Sequence, residues 1–150
     1  MEVVTLDGGA WTLSLEEVGR IGLFRTALEM DPGATSLPLT YEFATRPIVE
    51  DLLHVLRHQG ARPFVPPDKP LRSPDFRHVV KNDPALADWF NGLWQRDQGA
   101  SVMRLVELAH YLDYPVAQTL GLARIALSQP SPEQVEELVA RAKGHAARAE

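Results

Sequence analysis

Residues 97–132 read DQGASVMRLVELAHYLDYPVAQTLGLARIALSQPSP, and this stretch decides the fold. Val102, Leu105, Leu108, Ala109 and Leu112 recur at steps of three and four, the spacing of one face of an α-helix, and Val106 widens that stripe. Tyr114-Pro115 interrupts the pattern, because proline disfavours helical backbone in the residue before it and opens a new helix well. Beyond the break Val116, Leu120, Ala123 and Leu127 line one face, while Leu122, Ile125 and Ala126 make the other faces apolar too. A helix apolar on most sides is expected at the centre of a core. The two helices meet at an aromatic, acidic elbow, Tyr111-Leu112-Asp113-Tyr114. The stretch is rich in packing surface and poor in candidate nucleophiles, bases or phosphate cradles.

Working outward, Ser131-Pro132-Glu133-Gln134 has the chemistry of a helix start, with Ser131 as cap and Pro132 at the first position. Val135, Leu138, Val139 and Ala142 stripe the helix this predicts. Upstream, Asp83 before Pro84 predicts a helix over Ala85–Gln95 carrying Leu86, Trp89, Phe90, Leu93 and Trp94, and Gln98-Gly99 ends it. The three aromatic residues of this helix are expected in the core. Pro47–Gln59 reads as an amphipathic helix with Ile48, Leu52, Val55 and Leu56 on one face and Gly60 just beyond its end. Residues 61–82 hold five prolines and the basic residues Arg62, Lys69, Arg72, Arg77 and Lys81, which predicts an extended surface loop.

The N-terminal part opens with Val3, Val4 and Leu6, then Asp7-Gly8-Gly9, then Trp11, Leu13 and Leu15. Asp-Gly between two such runs predicts a hairpin. Ser14 and Glu17 have capping-box spacing, and Val18, Ile21, Phe24 and Leu28 follow at helical intervals up to Asp31-Pro32-Gly33, so one helix is expected there. Leu37-Pro38-Leu39 suits only an edge strand, since proline donates no ladder hydrogen bond.

Composition narrows the function classes. A length of 150 residues suits one domain. With Lys and Arg totalling 15 against 20 Asp and Glu, the net charge of -5 argues against a general nucleic-acid binder, which needs excess cations to displace counterions. No cysteine is present, so disulfides, thiolate nucleophiles and Cys-based zinc sites are excluded. The opening MEVVTLDGGAWTLSLEE carries acids and no basic region, which predicts neither a secretory signal nor a transit peptide, and no apolar run reaches the ~18 residues of a membrane span. A soluble, intracellular protein of the cytoplasm or nucleus is expected. His54 and His58 stand at i, i+4, a chelating spacing, but no third ligand joins them at a motif spacing, so a solvated helix face is expected and no metal. Glu16/Glu17 and Glu136/Glu137 fall in helix starts or faces where acids are ordinary. No cofactor motif and no catalytic constellation emerges, and an enzyme is not expected.

The order of hairpin, helix, short Pro-containing strand, helix, long loop and helical C-terminal half resembles an α+β BTB/POZ domain. More specifically, the chain is similar to the S-phase kinase-associated protein (Skp) family. The resemblance rests on Asp97-Gln98-Gly99, on Leu108-Ala109-His110-Tyr111-Leu112-Asp113, and on Ser131-Pro132-Glu133-Gln134-Val135, in family order and near family spacing. Leu37-Pro38-Leu39 and the hairpin over Val3–Thr12 agree more loosely. The resemblance divides the chain into a BTB/POZ-like domain over 1–128, with 61–82 as its Pro-rich loop, and a C-terminal helical extension over 129–150.

The family's members are non-catalytic adaptors in the ubiquitin-conjugation pathway that join a cullin to an F-box protein in SCF-type ligases. Carried over by position, the resemblance implies cullin contact at His110 and Tyr111, and F-box contact at Tyr114, Val116, Leu120, Val135, Leu138 and Val139. His110 stands where the family has Asn, one extra residue separates Gly99 from that motif, and the loop is basic where the family's is commonly acidic. No tryptophan follows Val139, whereas the family folds a Trp-bearing terminal helix over the F-box. A second reading stays open, a BTB-type homo-oligomerisation or scaffold module that keeps the fold without ligase function, as a viral or microbial mimic would. Partners expected on either reading are proteins, with no nucleic acid and no membrane.

One consequence is independent of the partner. Leu120→Asp places a lone carboxylate on the predicted buried face of its helix and is expected to unfold the domain, at a cost of several kcal/mol. A urea melt with a wild-type midpoint would show that Leu120 faces solvent instead.

Overall fold

The Asp7-Gly8-Gly9 turn joins strand β1 (Glu2–Thr5) to strand β2 (Ala10–Thr12), as the sequence predicts. The Thr5 amide donates to the Gly9 carbonyl at 2.9 Å, and the Asp7 carboxylate accepts from the Thr5 hydroxyl and, at 2.9 Å, from the Arg46 amide. The turn thus ties the hairpin to the start of a distant helix. The computed structural model describes residues 1–69, 71–81 and 83–128. Within them, strand β3 (Ser36–Leu39) completes a sheet of order β2-β1-β3, antiparallel on one side of β1 and parallel on the other. Pro38 lies opposite Val4 on this edge strand, where a missing amide donor is tolerated.

The stretch read as one helix is two. Ser14 forms a full capping box with Glu17 and starts α1 (Leu15–Gly19), but Ile21 adopts extended backbone and a second helix, α2 (Gly22–Met30), begins after it. Apolar spacing runs through this break because Val18, Ile21 and Phe24 are all buried regardless. The cause is tertiary. The Gly22 amide donates to the Asp113 carbonyl at 3.0 Å, and a Cβ on Gly22 would stand 2.1 Å from an Asp113 carboxylate oxygen.

Helix α3 (Arg46–Gln59) has Pro47 in its first turn and ends at Gly60, and it buries Ile48, Val49, Leu52, Leu53, Val55 and Leu56. Arg57 pairs with Glu17 at 2.9 Å and Arg20 donates to the Leu56 carbonyl at 3.1 Å, locking α1 across α3.

The Pro-rich segment departs from expectation. It contains a short helix, α4 (Phe76–Val79), capped by the Asp75 side chain, and Phe76, Val79 and Val80 are buried. Four of its five cations are paired internally, with Arg62 on Asp83 at 3.0 Å, Lys81 on Asp68 at 2.8 Å, Arg72 on Asp68 at 3.9 Å and Arg77 on Asp88 at 3.1 Å. Pro67 is buried, and Phe64 and Leu71 pack against the core. The segment is a strap lying on the domain.

Three helices complete the described fold. Asp83 caps α5 (Pro84–Asp97) by accepting from the Leu86 amide, and Gly99 opens α6 (Ala100–Leu112), which the elbow joins to α7 (Pro115–Leu127). On α5, Phe90 is buried as expected, whereas both tryptophans are half-buried: Trp89 stacks on His54 at 4.5 Å, and Trp94 carries the Arg124 guanidinium of α7 at 4.7 Å. The central helix is α6, not α7. It packs against α2, α3, α5 and α7, and its Val102, Leu105, Leu108, Ala109 and Leu112 are at most 1% exposed. On α7 the buried residues are Ala117, Leu120, Gly121 and Ala123, while Leu122 is 49% exposed. Gly121 permits close approach, since a Cβ there would meet a Val106 methyl at 2.4 Å.

Asp83 joins three elements at once. It accepts from the α5 amide, from His58 Nε2 at 2.9 Å near the end of α3, and from Arg62 in the strap. Burial would raise its carboxyl, but the His58 ring, the Leu86 amide and the Arg62 charge outweigh this and hold it below its ordinary value.

Two outcomes follow from this architecture. Gly22→Ala is expected to lower stability by about 1–3 kcal/mol through overpacking against Asp113, read as a lowered denaturant midpoint with little change in slope. Asp83→Ala is expected to cost about 0.5–2 kcal/mol near neutral pH through loss of the cap. Because the folded carboxyl is more acidic than the unfolded one, its charge contributes stability above the unfolded value of 3.8 and loses it as pH falls through the folded value. The gap between wild type and Asp83→Ala, followed by urea melts from pH 7 to pH 3, should therefore narrow below pH 4.

Candidate interaction site

The elbow between α6 and α7 is assembled from local chemistry and one distant clamp. Leu112 is buried and ends the apolar stripe of α6. Asp113 takes the left-handed conformation, φ 58°, which Asp tolerates better than a branched residue would. The Tyr114 amide then donates to the Ala109 carbonyl at 2.8 Å, and Pro115 begins α7 where no amide donor is required. The Asp113 carbonyl receives the Gly22 amide, so the start of α2 holds the turn in place.

This geometry sorts the residues singled out in the sequence. His110 and Tyr111 occupy the last turn of α6 and are exposed, while their neighbours Ala109 and Leu112 face inward. His110 Nδ1 lies 3.1 Å from the Gln118 side-chain nitrogen on α7, which fixes the imidazole across the elbow. Tyr111 is 42% exposed and stacks on Tyr41 with centroids 4.4 Å apart and planes within 10°.

Tyr114 and Leu120, by contrast, are core residues at 3% and 2% exposure. Neither side chain is exposed for direct F-box contact in the chain alone, although Leu120 lines a cavity of about 270 Å³ beside the strap; the expected burial of Leu120 is what the structure has. The Tyr114 hydroxyl has no hydrogen-bond partner among the described residues, and burial, opposed only by the Arg20 charge, pushes it up to about 12. Val116 is half-buried at the start of α7. Val135, Leu138 and Val139 lie outside the described residues, as does the helix start at Ser131.

Two features escaped the sequence reading. Leu122, Ala123 and Ala126 of α7, together with Pro67 and Leu71 of the strap, line an apolar groove of about 260 Å³, with Asp68 and Lys69 also lining it. The signal for it is the excess of apolar residues around α7, which by itself predicts a helix central in the core. Tyr41 and Phe43, between β3 and α3, carry the second feature. Their alternation resembles an ordinary strand ending, and only the fold brings Tyr41 against Tyr111.

The two histidines of α3 are not simply solvated. His54 lies flat on Trp89, where burial and then the His58 charge lower its pKa against the opposing effect of Asp51, and His58 is engaged by Asp83. Among the described residues no group of three or more His, Cys, Asp or Glu side chains is gathered for a metal ion. Nor is any described helix long and apolar enough to cross a membrane. Two exposed features stand out, the aromatic end of α6 and the apolar groove beside α7, and they share no residue.

No protein-family model matches the chain, and no curated protein is similar enough to match it.

Proposed function

We propose that this chain is a non-catalytic adaptor of an SCF-type cullin-RING ubiquitin ligase, built on a BTB/POZ fold of the Skp kind and bridging a cullin to an F-box substrate receptor. The single observation that carries the reading is the exposure of His110 and Tyr111 in the last turn of α6, within the Leu-Ala-His-Tyr-Leu-Asp segment on which the family resemblance rests. The order of elements supports it as well, with hairpin, helices, a Pro-containing edge strand, a long helix, the strap and then the helical half.

In this reading the chemistry is adhesion. The aromatic end of α6 receives the cullin, and the groove formed by Leu71, Leu122, Ala123 and Ala126 offers the F-box an apolar seat for helix anchors spaced three and four residues apart. Tyr114 and Leu120 then act from below, by holding α7 in position rather than by touching the partner. No bond is made or broken by this protein. Because its two contact surfaces are separate, one partner can be exchanged while the other stays bound.

Mixing the purified chain with a cullin N-terminal fragment and with an F-box peptide tests the reading. It fails if neither binds at tens of micromolar. Light scattering separates it from the homo-oligomeric scaffold: the adaptor is a monomer that gains mass only with a partner. The double substitution His110→Ala, Tyr111→Ala is expected to weaken cullin binding by about 2 kcal/mol or more while leaving the thermal melt unchanged. Unchanged affinity in a folded variant would place the contact surface elsewhere.

A further inference from the structure

Three aromatic rings from two distant parts of the chain meet at the surface. Tyr41 stacks on Tyr111, and Phe43 tilts at 55° against Tyr41 with centroids 5.1 Å apart. Phe43 and Tyr111 remain 40% and 42% exposed. Single exposed apolar residues are ordinary, but contiguous ones rimmed by polar groups mark contact sites.

The charges around the rings indicate what the platform takes. Glu42 lies between the two aromatic residues of the β3–α3 segment, and Glu107 sits one turn before Tyr111 on the same face of α6. Both are exposed, and neither has an ion-pair partner within 4.0 Å among the described residues. Arg25 of α2, a helix packed against the core helix α6, donates to the Gly19 carbonyl at 3.2 Å. Aromatic faces flanked by carboxylates attract a cation twice, through the ring quadrupole and through charge.

We propose, resting on the cullin reading above, that Tyr41 and Phe43 extend that contact surface, and that the Tyr41–Phe43–Tyr111 platform receives an arginine or lysine side chain of the partner. The stack with Tyr41 holds the Tyr111 ring in one orientation before the partner arrives, which lowers the ordering cost of the contact. The carboxylates of Glu42 and Glu107 steer the basic side chain and make the association sensitive to salt.

Titration of the full chain with the cullin N-terminal fragment at low and high salt tests this. Tyr41→Ala is expected to weaken binding about tenfold, Tyr41→Phe to retain wild-type affinity because the stack survives, and Glu107→Gln to weaken binding at low salt and flatten its salt dependence. Phe43→Ala, at a residue already 40% exposed, gives the same loss without depending on how Tyr41→Ala folds. Wild-type binding with undiminished affinity in Phe43→Ala and in folded Tyr41→Ala overturns the platform and leaves the cullin reading standing. A wild-type chain that does not bind the fragment overturns both.

Discussion

The packing of α6 is the constraint on which the other elements depend. Its buried stripe from Val102 to Leu112 meets four helices, and each of its leucines, fully withdrawn from water, contributes about 1.5–3 kcal/mol of transfer free energy. A helix enclosed this way cannot shift along its axis without opening cavities on several sides at once. Its last turn is therefore held rigidly, and two features keep it so: the Asp113 carbonyl accepts the Gly22 amide, and Gly121 lets α7 approach Val106 closely. The exposed end of α6, where His110 and Tyr111 stand, inherits that rigidity.

A rigid end is what an adhesive surface needs. A contact made by side chains already held in place loses less conformational entropy on binding than one made by a loop. Here the imidazole is fixed by Gln118 and the phenol by Tyr41, so both would be oriented before any partner arrives. The groove beside α7 is framed differently. One wall is a helix and the other a proline-rich strap whose Arg62, Arg72, Arg77 and Lys81 side chains are paired with Asp68, Asp83 and Asp88. Proline limits the backbone states available to the strap, and Phe76, Val79 and Val80 anchor it in the core. Most of the basic character of this segment is therefore spent on internal pairing.

Much of the fold was legible because it is written in local chemistry. The hairpin at Asp7-Gly8-Gly9, the edge strand with Pro38, α3 with its flanking Pro47 and Gly60, the Asp83 cap of α5 and the break at Tyr114-Pro115 all depend on backbone preferences acting over a few residues. The break between α1 and α2 was hidden, because the apolar positions keep helical spacing across it and the cause is a residue more than ninety positions away. Helix α4 was hidden for a related reason: it is a single capped turn among prolines, too short for periodicity to register. At the candidate site, His110 and Tyr111 could be named from the sequence, whereas Tyr41 and Phe43 could not.

By itself the sequence determined the hairpin, the edge strand and helices α3, α5, α6 and α7, and that the apolar stripe of α6 must be buried, because caps, turns and periodicity act within one or two turns of chain. Only the tertiary structure decided that α6 rather than α7 lies at the centre, that Leu122 and Ala126 face a groove, and that Tyr41 meets Tyr111. An apolar side chain is equally apolar whether it fills a core or waits for a partner, and which of these it does depends on what the rest of the chain packs against it.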